Sequence, residues 1–386
     1  MNMNNIDLAT HPRILDELEN DLKKLGFAGP TDIVKLLYLA LQTRRFAKIC
    51  SAVIKAPSGR GKSFALNQAL KFVPPSAYEY FSGMSEKAIV YSGLDLSHRF
   101  LVIGEAAGMS QGDGRAFLRQ LLSEDQVKYM TVQKTEHGMK GEQLPTVKGP
   151  TGLIMTTTSN ELHPEDESRM LSISLPDSHE QIRMALLAMA EGHSIKQEVD
   201  FSRWHTHDAF LDEGTREVFI PFAREIAERV PLTHYRVQRD FPKLLSLISS
   251  HALLHKCIRP TTDDGMTLAT LDDYAVVLEL VQRPFSEGLE TSVPDNIRML
   301  VKATSELLAS TVNTYPHFME GISQQALAKQ IGRDQSVVSR SLEAALAQGY
   351  LKNLNPGQGR QASIVLGDRE IPSGFALPSP EELKVT

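Results

Sequence analysis

The 386-residue chain is 41% hydrophobic and 23% charged with a net charge of −6, an ordinary globular balance with length for roughly two or three domains. That acidic balance excludes a uniformly basic nucleic-acid binder, so any nucleic-acid contact must be local. Two cysteines (Cys50 and Cys257), an opening stretch without a basic start or apolar core, and no apolar run of membrane-spanning length predict a cytoplasmic protein that neither spans nor enters a bilayer.

Amphipathic patterns predict helices over Asp16–Lys24 and Thr31–Phe46, parted by Gly26 and Gly29-Pro30, with Thr31 as N-cap of the second. An apolar strand, Ile49–Ile54, then runs into Ala56-Pro57-Ser58-Gly59-Arg60-Gly61-Lys62-Ser63, and helically spaced Phe64, Leu66, Leu70 and Phe72 follow. A strand, a glycine turn ending in Gly-Lys-Ser and a helix make a P-loop, here with Ala56 in place of the usual first glycine. In such a loop residues Pro57 to Gly61 wrap the phosphates of ATP, with Ser58, Gly59, Arg60 and Gly61 offering their backbone N–H groups. Lys62 neutralises the β/γ-phosphates and should be partly exposed before nucleotide arrives, and Ser63 ligates Mg²⁺. Candidate strands Ser51–Ile54, Tyr78–Phe81, Phe100–Ile103, Gly152–Thr156 and Leu171–Leu175 alternate with helical segments, which predicts an α/β core with a mostly parallel sheet. A P-loop site needs a carboxylate at a neighbouring strand end. Phe100–Ile103 followed by Gly104-Glu105 offers Glu105 to orient the attacking water, with Gly104 where a metal-side Asp is usual.

Val127–Val132 and Gln143–Val147 predict a hairpin whose turn carries Lys134, His137, Gly138, Lys140 and Gly141, cations suited to sequence-blind phosphate contact. From Ser178 to Gln282 helical periodicity dominates, Trp204 falls in an irregular patch, and turns are expected at Pro284 and Pro294. Arg236 and Arg239 precede a helix from Phe241 to Lys256. His251 and His255 with nearby Cys257, and the pair His205 and His207, suggest zinc, but no closed four-ligand set has suitable spacing. In the last module Ser323 and Asp334 cap two helices, the second with Val338, Leu342 and Leu346 inward and Gln335, Ser336, Ser339 and Arg340 outward. A turn through Asn355–Arg360 and a strand Ala362–Leu366 complete a winged-helix pattern, with Lys352 and Arg360 placed to reach DNA phosphates. Ile371 onwards is Pro/Ser-rich and expected to be disordered.

From Ile49 to Gln282 the chain resembles the AAA+ ATPases, and MCM-type DNA helicases in particular. The resemblance rests on the hairpin before the strand Gly152–Thr156, on Thr156-Thr157-Thr158-Ser159-Asn160 after it, and on Ser168-Arg169-Met170-Leu171 before the last core strand. It implies that the hairpin lines a ring's pore and that Asn160 and Thr158 act at sensor 1. By the same resemblance Arg169 is an arginine finger toward the next subunit, and Arg239, with Arg236 as fallback, acts at sensor 2. The implied organisation is an N-terminal helical segment (1–47), an AAA+ core (48–177), a helical lid (178–290), a winged helix (291–368) and a tail (369–386). The implied protein is an ATP-dependent DNA motor, a homo-hexamer akin to MCM-like helicases of mobile elements that work beside a primase or other replication protein. The alternatives are a DNA-bound ATP switch that does not translocate, and a protein that has lost hydrolysis.

Overall fold

The computed structural model describes residues 6–83, 88–105, 119–124, 126–128, 130–135, 138–143, 146–158, 164–175, 179–191, 197–232, 236–291, 293, 295–314, 321–357, 361–371 and 376–383. The chain divides into two compact units: Met1–Pro231 with Arg236–Gly288 and Ala376–Thr386, and Leu232–Tyr235 with Leu289–Phe375.

In the first unit, strands β1 (Ala52–Lys55), β2 (Tyr78–Phe81) and β3 (Arg99–Ile103) are followed by β4 (Gln126–Val127), β5 (Met130–Thr135), β6 (Gly138–Gln143) and β7 (Val147–Lys148), then by β8 (Thr151–Thr157) and β9 (Leu171–Ser174). The central sheet has the order β2-β3-β8-β1-β9, and every neighbouring pair in it is parallel. All four residues of β1 are buried, as a central strand covered on both faces requires. The parallel register brings the C-terminal ends of β1, β3 and β8 to one edge, where ligands bind in open α/β sheets.

Helices Ile14–Lys24 and Thr31–Gln42 lie N-terminal to the sheet. Pro30, not Thr31, is the N-cap of the second, and Thr31 is its first helical residue. That helix stops at Gln42 rather than at Phe46, and a 3₁₀ turn, Thr43–Arg45, takes over. One cause is local and one tertiary: the Thr43 hydroxyl donates to the Ala40 carbonyl at 2.5 Å, and buried Arg44 and Arg45 both pair with Asp208.

Trp204 is not irregular but sits in helix Ser202–Leu211, where Trp204, His207, Asp208 and Leu211 are buried at helical spacing. Its ring meets Tyr38 edge-on at 5.7 Å and Phe72 at 5.0 Å. Phe72 is the C-cap of helix Lys62–Lys71, so this aromatic cluster braces the helix that leaves the glycine loop.

Helix Val237–Leu254 contains Pro242 in its second turn, and helix Leu271–Thr291 runs through Pro284. The expected turn at Pro284 is therefore absent; Val281 and Phe285, buried on either side, hold the helix together across the missing N–H. Short strands β10 (Val218–Phe219) and β11 (Thr267–Leu268) pair in this region. Residues 376–383, expected to be disordered, are ordered. Leu377 and Leu383 are buried, the Tyr274 hydroxyl donates to the Pro378 carbonyl at 2.6 Å, and the Leu377 N–H donates to Gln282. Among the described residues no helix is long and apolar enough to cross a membrane.

The second unit holds helices Asp295–Thr314, Gln324–Ile331 and Gln335–Ala347 and an antiparallel ribbon, β12 (Leu351–Asn353) with β13 (Ile364–Leu366). Ser323 caps the middle helix by accepting from the Ala326 N–H, and Gly332 ends it in the left-handed region. Asp334 occupies the next N-cap position without a side-chain cap bond. Val338 and Leu342 are buried in the core as expected, Leu346 packs against it partly buried, and Ala345 joins them beside Leu327, Tyr350 and Ile364.

The chain's single tryptophan reports on this packing, because its indole N–H donates to Asp21 at 2.9 Å. Arg203 at 2.6 Å and Lys24 at 2.7 Å also meet that buried carboxylate. Burial alone would raise Asp21, but hydrogen bonds from Lys24, Trp204 and Arg203 outweigh it and hold the carboxyl below its ordinary range. The ionised form is thus favoured in the fold, and its contribution is complete above pH ~4 and lost as pH falls from there. Stability followed by Trp204 fluorescence should fall below pH ~4, and Asp21→Ala should cost about 3 kcal/mol and flatten that dependence; an equal acid transition in the variant would contradict the assignment.

Candidate functional site

At the end of β1 the chain must turn sharply without closing off its amides. The Ala56 N–H still bonds the Thr157 carbonyl of β8 at 3.3 Å, and the Ala56 side chain is buried, so the substituted first position of the loop is filled by packing. Gly59 and Gly61 follow at φ +79° and +81°, conformations that strain any residue with a Cβ. Gly61 is the N-cap of helix Lys62–Lys71, whose first N–H groups have no partner inside the helix. Those amides and the positive end of the helix dipole form an anion cradle. Pro57, Ser58, Gly59, Gly61 and Ser63 are exposed and Arg60 half-buried around it.

Lys62 departs from expectation. It is buried, at 8% exposure, because its ammonium folds back to donate to the Ala56 carbonyl at 2.7 Å and the Pro57 carbonyl at 2.9 Å. Burial lowers its pKa, and the Glu105 carboxylate opposes that shift. An incoming phosphate must therefore draw Lys62 away from two carbonyl oxygens.

Glu105 is exposed just past β3. The β2–β3 pairing continues beyond the strand ends, with Gly104 N–H to the Phe81 carbonyl at 2.8 Å and Glu105 N–H to the Ser82 carbonyl at 3.1 Å. On the other side the buried Thr156 hydroxyl donates to the Gly104 carbonyl. Glu105 is thus aimed by backbone fixed on two sides, one strand away from β1. Thr158 is exposed at the end of β8, and Asn160 lies outside the described residues.

The corner before β9 gathers several charges. Lys55, the last residue of β1, pairs with buried Glu167 at 2.6 Å, and Ser172 donates to the same carboxylate oxygen at 2.8 Å. Arg169 donates to the Glu165 carbonyl at 2.8 Å and to Ser123 at 3.0 Å. Burial and the neighbouring Arg239 charge lower its pKa. Arg119 pairs with Glu165 and Asp166.

Helix Val237–Leu254 starts earlier than expected, so Arg236 is its N-cap and Arg239 its third residue. Arg236 is 3% exposed and is held by Asp240 at 2.9 Å and the Met170 carbonyl at 3.2 Å. Arg239 is exposed and reaches the Ser168 hydroxyl. Lys243 joins Asp240 at 2.8 Å to the Ser168 carbonyl at 3.1 Å. Of this corner the sequence pointed to Arg169, Arg236 and Arg239; the buried Lys55–Glu167 pair and Lys243 carried no motif that would have revealed them.

The hairpin differs from expectation in its register. β5 and β6 pair from Met130–Gln143 to Thr135–Gly138, so Lys134, Gly138, Lys140 and Gly141 are ladder residues and not turn residues. His137 lies outside the described residues. Lys134 stands opposite Met139 and Lys140 opposite Gln133, positions of opposite parity that alternate between the ribbon's faces. Lys140 is exposed. Met130, Val132 and Met139 are 71%, 64% and 82% exposed, an apolar face that the expected cationic turn does not include.

In the second unit Gln335, Ser336, Arg340 and Lys352 are exposed and Ser339 half-buried; Arg360 lies outside the described residues. The zinc alternative also meets the structure. Among the described residues, ligand atoms of His251, His255 and Asp273 lie within 4.8 Å of one another, without Cys257. Asp273, however, already accepts from Arg259 at 2.6 Å, from His251 at 2.7 Å and from Thr270, so its carboxylate is committed to hydrogen bonds, while the buried His255 Nε2 has no partner among the described residues.

No family model matches the chain, and no curated protein matches it. Among solved structures, a full-length MCM homolog from Methanopyrus kandleri is similar over 71% of this chain at 12% identity and a TM-score of 0.44, and the chain spans 61% of that protein. Drosophila ORC bound to DNA is similar over 95% of this chain and 90% of its own, at 12% identity and a TM-score of 0.27. NtrX from Brucella abortus in complex with ATP is similar over 85% and 67%, at 14% identity and a TM-score of 0.26. Likenesses this distant carry no functional argument, which rests on the chain's own residues.

The two arginines at the helix start separate cleanly by experiment. Arg236→Ala should destabilise the unit by about 3 kcal/mol by stranding buried Asp240. Arg239→Ala should leave denaturant unfolding within ~0.5 kcal/mol of wild type while weakening any nucleotide-dependent activity. The opposite ranking would remove Arg239 from the site.

Proposed function

We propose that the chain is an AAA+ ATPase that works on DNA as a ring-forming motor, similar to the MCM-like helicases of mobile elements. The observation that carries the reading is the arrangement at one sheet edge: a glycine loop with two left-handed glycines after β1, and a carboxylate, Glu105, held by its backbone just after β3. In this reading the 57–63 loop holds the ATP phosphates, and Lys62 exchanges the Ala56 and Pro57 carbonyls for phosphate oxygens. Ser63, exposed at the second helical position, supplies one oxygen toward Mg²⁺, which would screen the phosphate charge. Glu105 accepts a proton from the attacking water or orients it, with Thr158 and Asn160 beside it. Arg239 reaches nucleotide within the chain, and Arg169 reaches that of the next subunit of a homo-hexamer.

DNA contact is assigned to Lys134, His137 and Lys140 of the β5–β6 ribbon, which track phosphate without reading sequence. The second unit, read as a winged helix, contributes Gln335, Ser336, Ser339, Arg340, Lys352 and Arg360, with a primase or other replication protein as partner. A second reading, a DNA-bound ATP switch that does not translocate, is favoured by one observation. Arg169 is bonded within its own chain to Ser123 and Glu165, and it must give up those bonds to serve a neighbour.

ATP turnover measured with and without single-stranded DNA, alongside mass by light scattering, tests the reading. Wild type should hydrolyse ATP, faster with DNA. Glu105→Gln should bind ATP but turn over at least about a hundredfold more slowly, and Lys62→Ala should lose tight binding. DNA stimulation without strand displacement would move the assignment to the switch; equal turnover in wild type and Glu105→Gln would overturn the hydrolytic site.

A further inference from the structure

Gly104 stands where a P-loop ATPase usually carries its metal-side carboxylate, and the structure shows what has taken that space. A Cβ built on Gly104 would lie 2.5 Å from the Tyr80 hydroxyl oxygen, 3.2 Å from the ring carbon that bears it and 3.4 Å from the Ser82 carbonyl. Contacts under 3.0 Å are not tolerated by real side chains, so no residue other than glycine fits at 104 while the Tyr80 ring is in place. The backbone there has little freedom to yield. The Gly104 N–H is bonded to Phe81, its carbonyl to Thr156, and the next N–H to Ser82.

Tyr80 lies in β2, directly opposite Val102 of β3, and is 40% exposed. Its hydroxyl has no hydrogen-bond partner among the described residues. The phenol oxygen lies at the end of β3, beside the backbone that leads into Glu105.

We infer that Tyr80 has replaced the missing acid: its hydroxyl is a positioning group for the hydrated Mg²⁺ that accompanies the nucleotide, and Gly104 is the space made for it. The inference rests on the nucleotide-site reading and deepens it. Mg²⁺ keeps several waters in protein–nucleotide sites, and a phenol can accept from or donate to such a water without contributing charge. Substituting a neutral hydroxyl for a carboxylate removes one attractive Coulomb interaction. When bound, Mg²⁺ would be held by Ser63, phosphate oxygens and oriented water, so half-saturation should occur at higher Mg²⁺ than with a carboxylate at position 104.

The test is binding of a fluorescent ATP analogue to the full chain across a magnesium chloride titration, with thermal unfolding of every variant. Tyr80→Phe deletes one oxygen and should raise the half-saturating Mg²⁺ concentration about three- to tenfold, the scale of one hydrogen bond, with melting unchanged. Tyr80→Ala/Gly104→Asp makes room for the carboxylate and should bring half-saturation below the wild-type value, while Gly104→Asp alone should melt early. A merely structural Tyr80 would shift melting but not the magnesium curve. An unchanged magnesium curve in Tyr80→Phe overturns the inference, whatever the double variant does, and leaves the nucleotide site standing. Wild type that binds no analogue at any magnesium concentration overturns the nucleotide reading and the inference together.

Discussion

A buried ion pair ties the proposed site together. Lys55 closes the central strand, and Glu167 closes the short helix Pro164–Glu167 that turns into β9. Their contact at 2.6 Å, both side chains about 5% exposed, joins the strand that launches the glycine loop to the corner that bears Arg169. The price of desolvating two charges is high, and such a pair is retained where it fixes one geometry against others. From that corner the order propagates outward. Ser168 meets Arg239 and Lys243, Lys243 meets Asp240, and Asp240 meets Arg236. Helix Val237–Leu254 is thereby held to the corner that Lys55 joins to the central strand.

The loop itself is a balance between two states of one lysine. Lys62 fills the loop's own carbonyl oxygens, which keeps a buried cation satisfied, and a phosphate would replace them with stronger, charge-assisted bonds. Beside it, Glu105 is aimed by strand pairing on one side and Thr156 on the other. The two departures from the usual motif have separate physical accounts. Ala56 is buried where its methyl packs, and Gly104 leaves room for the Tyr80 hydroxyl.

Much of this was legible in the sequence. All five core strands were found within a residue or so, because buried parallel strands are short apolar runs between turn signals. The glycine loop was legible because left-handed backbone at Gly59 and Gly61 allows little else. What escaped were features set by tertiary partners. Trp204, His207, Asp208 and Leu211 have helical spacing, but two of them are polar, and only the ion pairs with Arg44 and Arg45 account for a buried Asp208. The ribbon's register escaped because Lys134–Gly141 has turn-like composition, and the ladder that overrides it is a pairing choice no local pattern announces. The ordered segment 376–383 looked like a Pro/Ser tail, since its anchors are single contacts to Tyr274 and Gln282. The Tyr80–Gly104 exchange needed coordinates, because the two residues meet only across β2 and β3.

Amide hydrogen exchange of the full chain, with and without ATP and Mg²⁺, tests the central claim most directly. In the proposed site the backbone N–H groups of residues 58–63 would donate to phosphate, so binding must slow their exchange. The account predicts nucleotide-dependent protection centred on residues 57–64, with a second, smaller change at 104–105. Unchanged exchange across 57–64 at saturating nucleotide, or protection confined to another part of the chain, would contradict it.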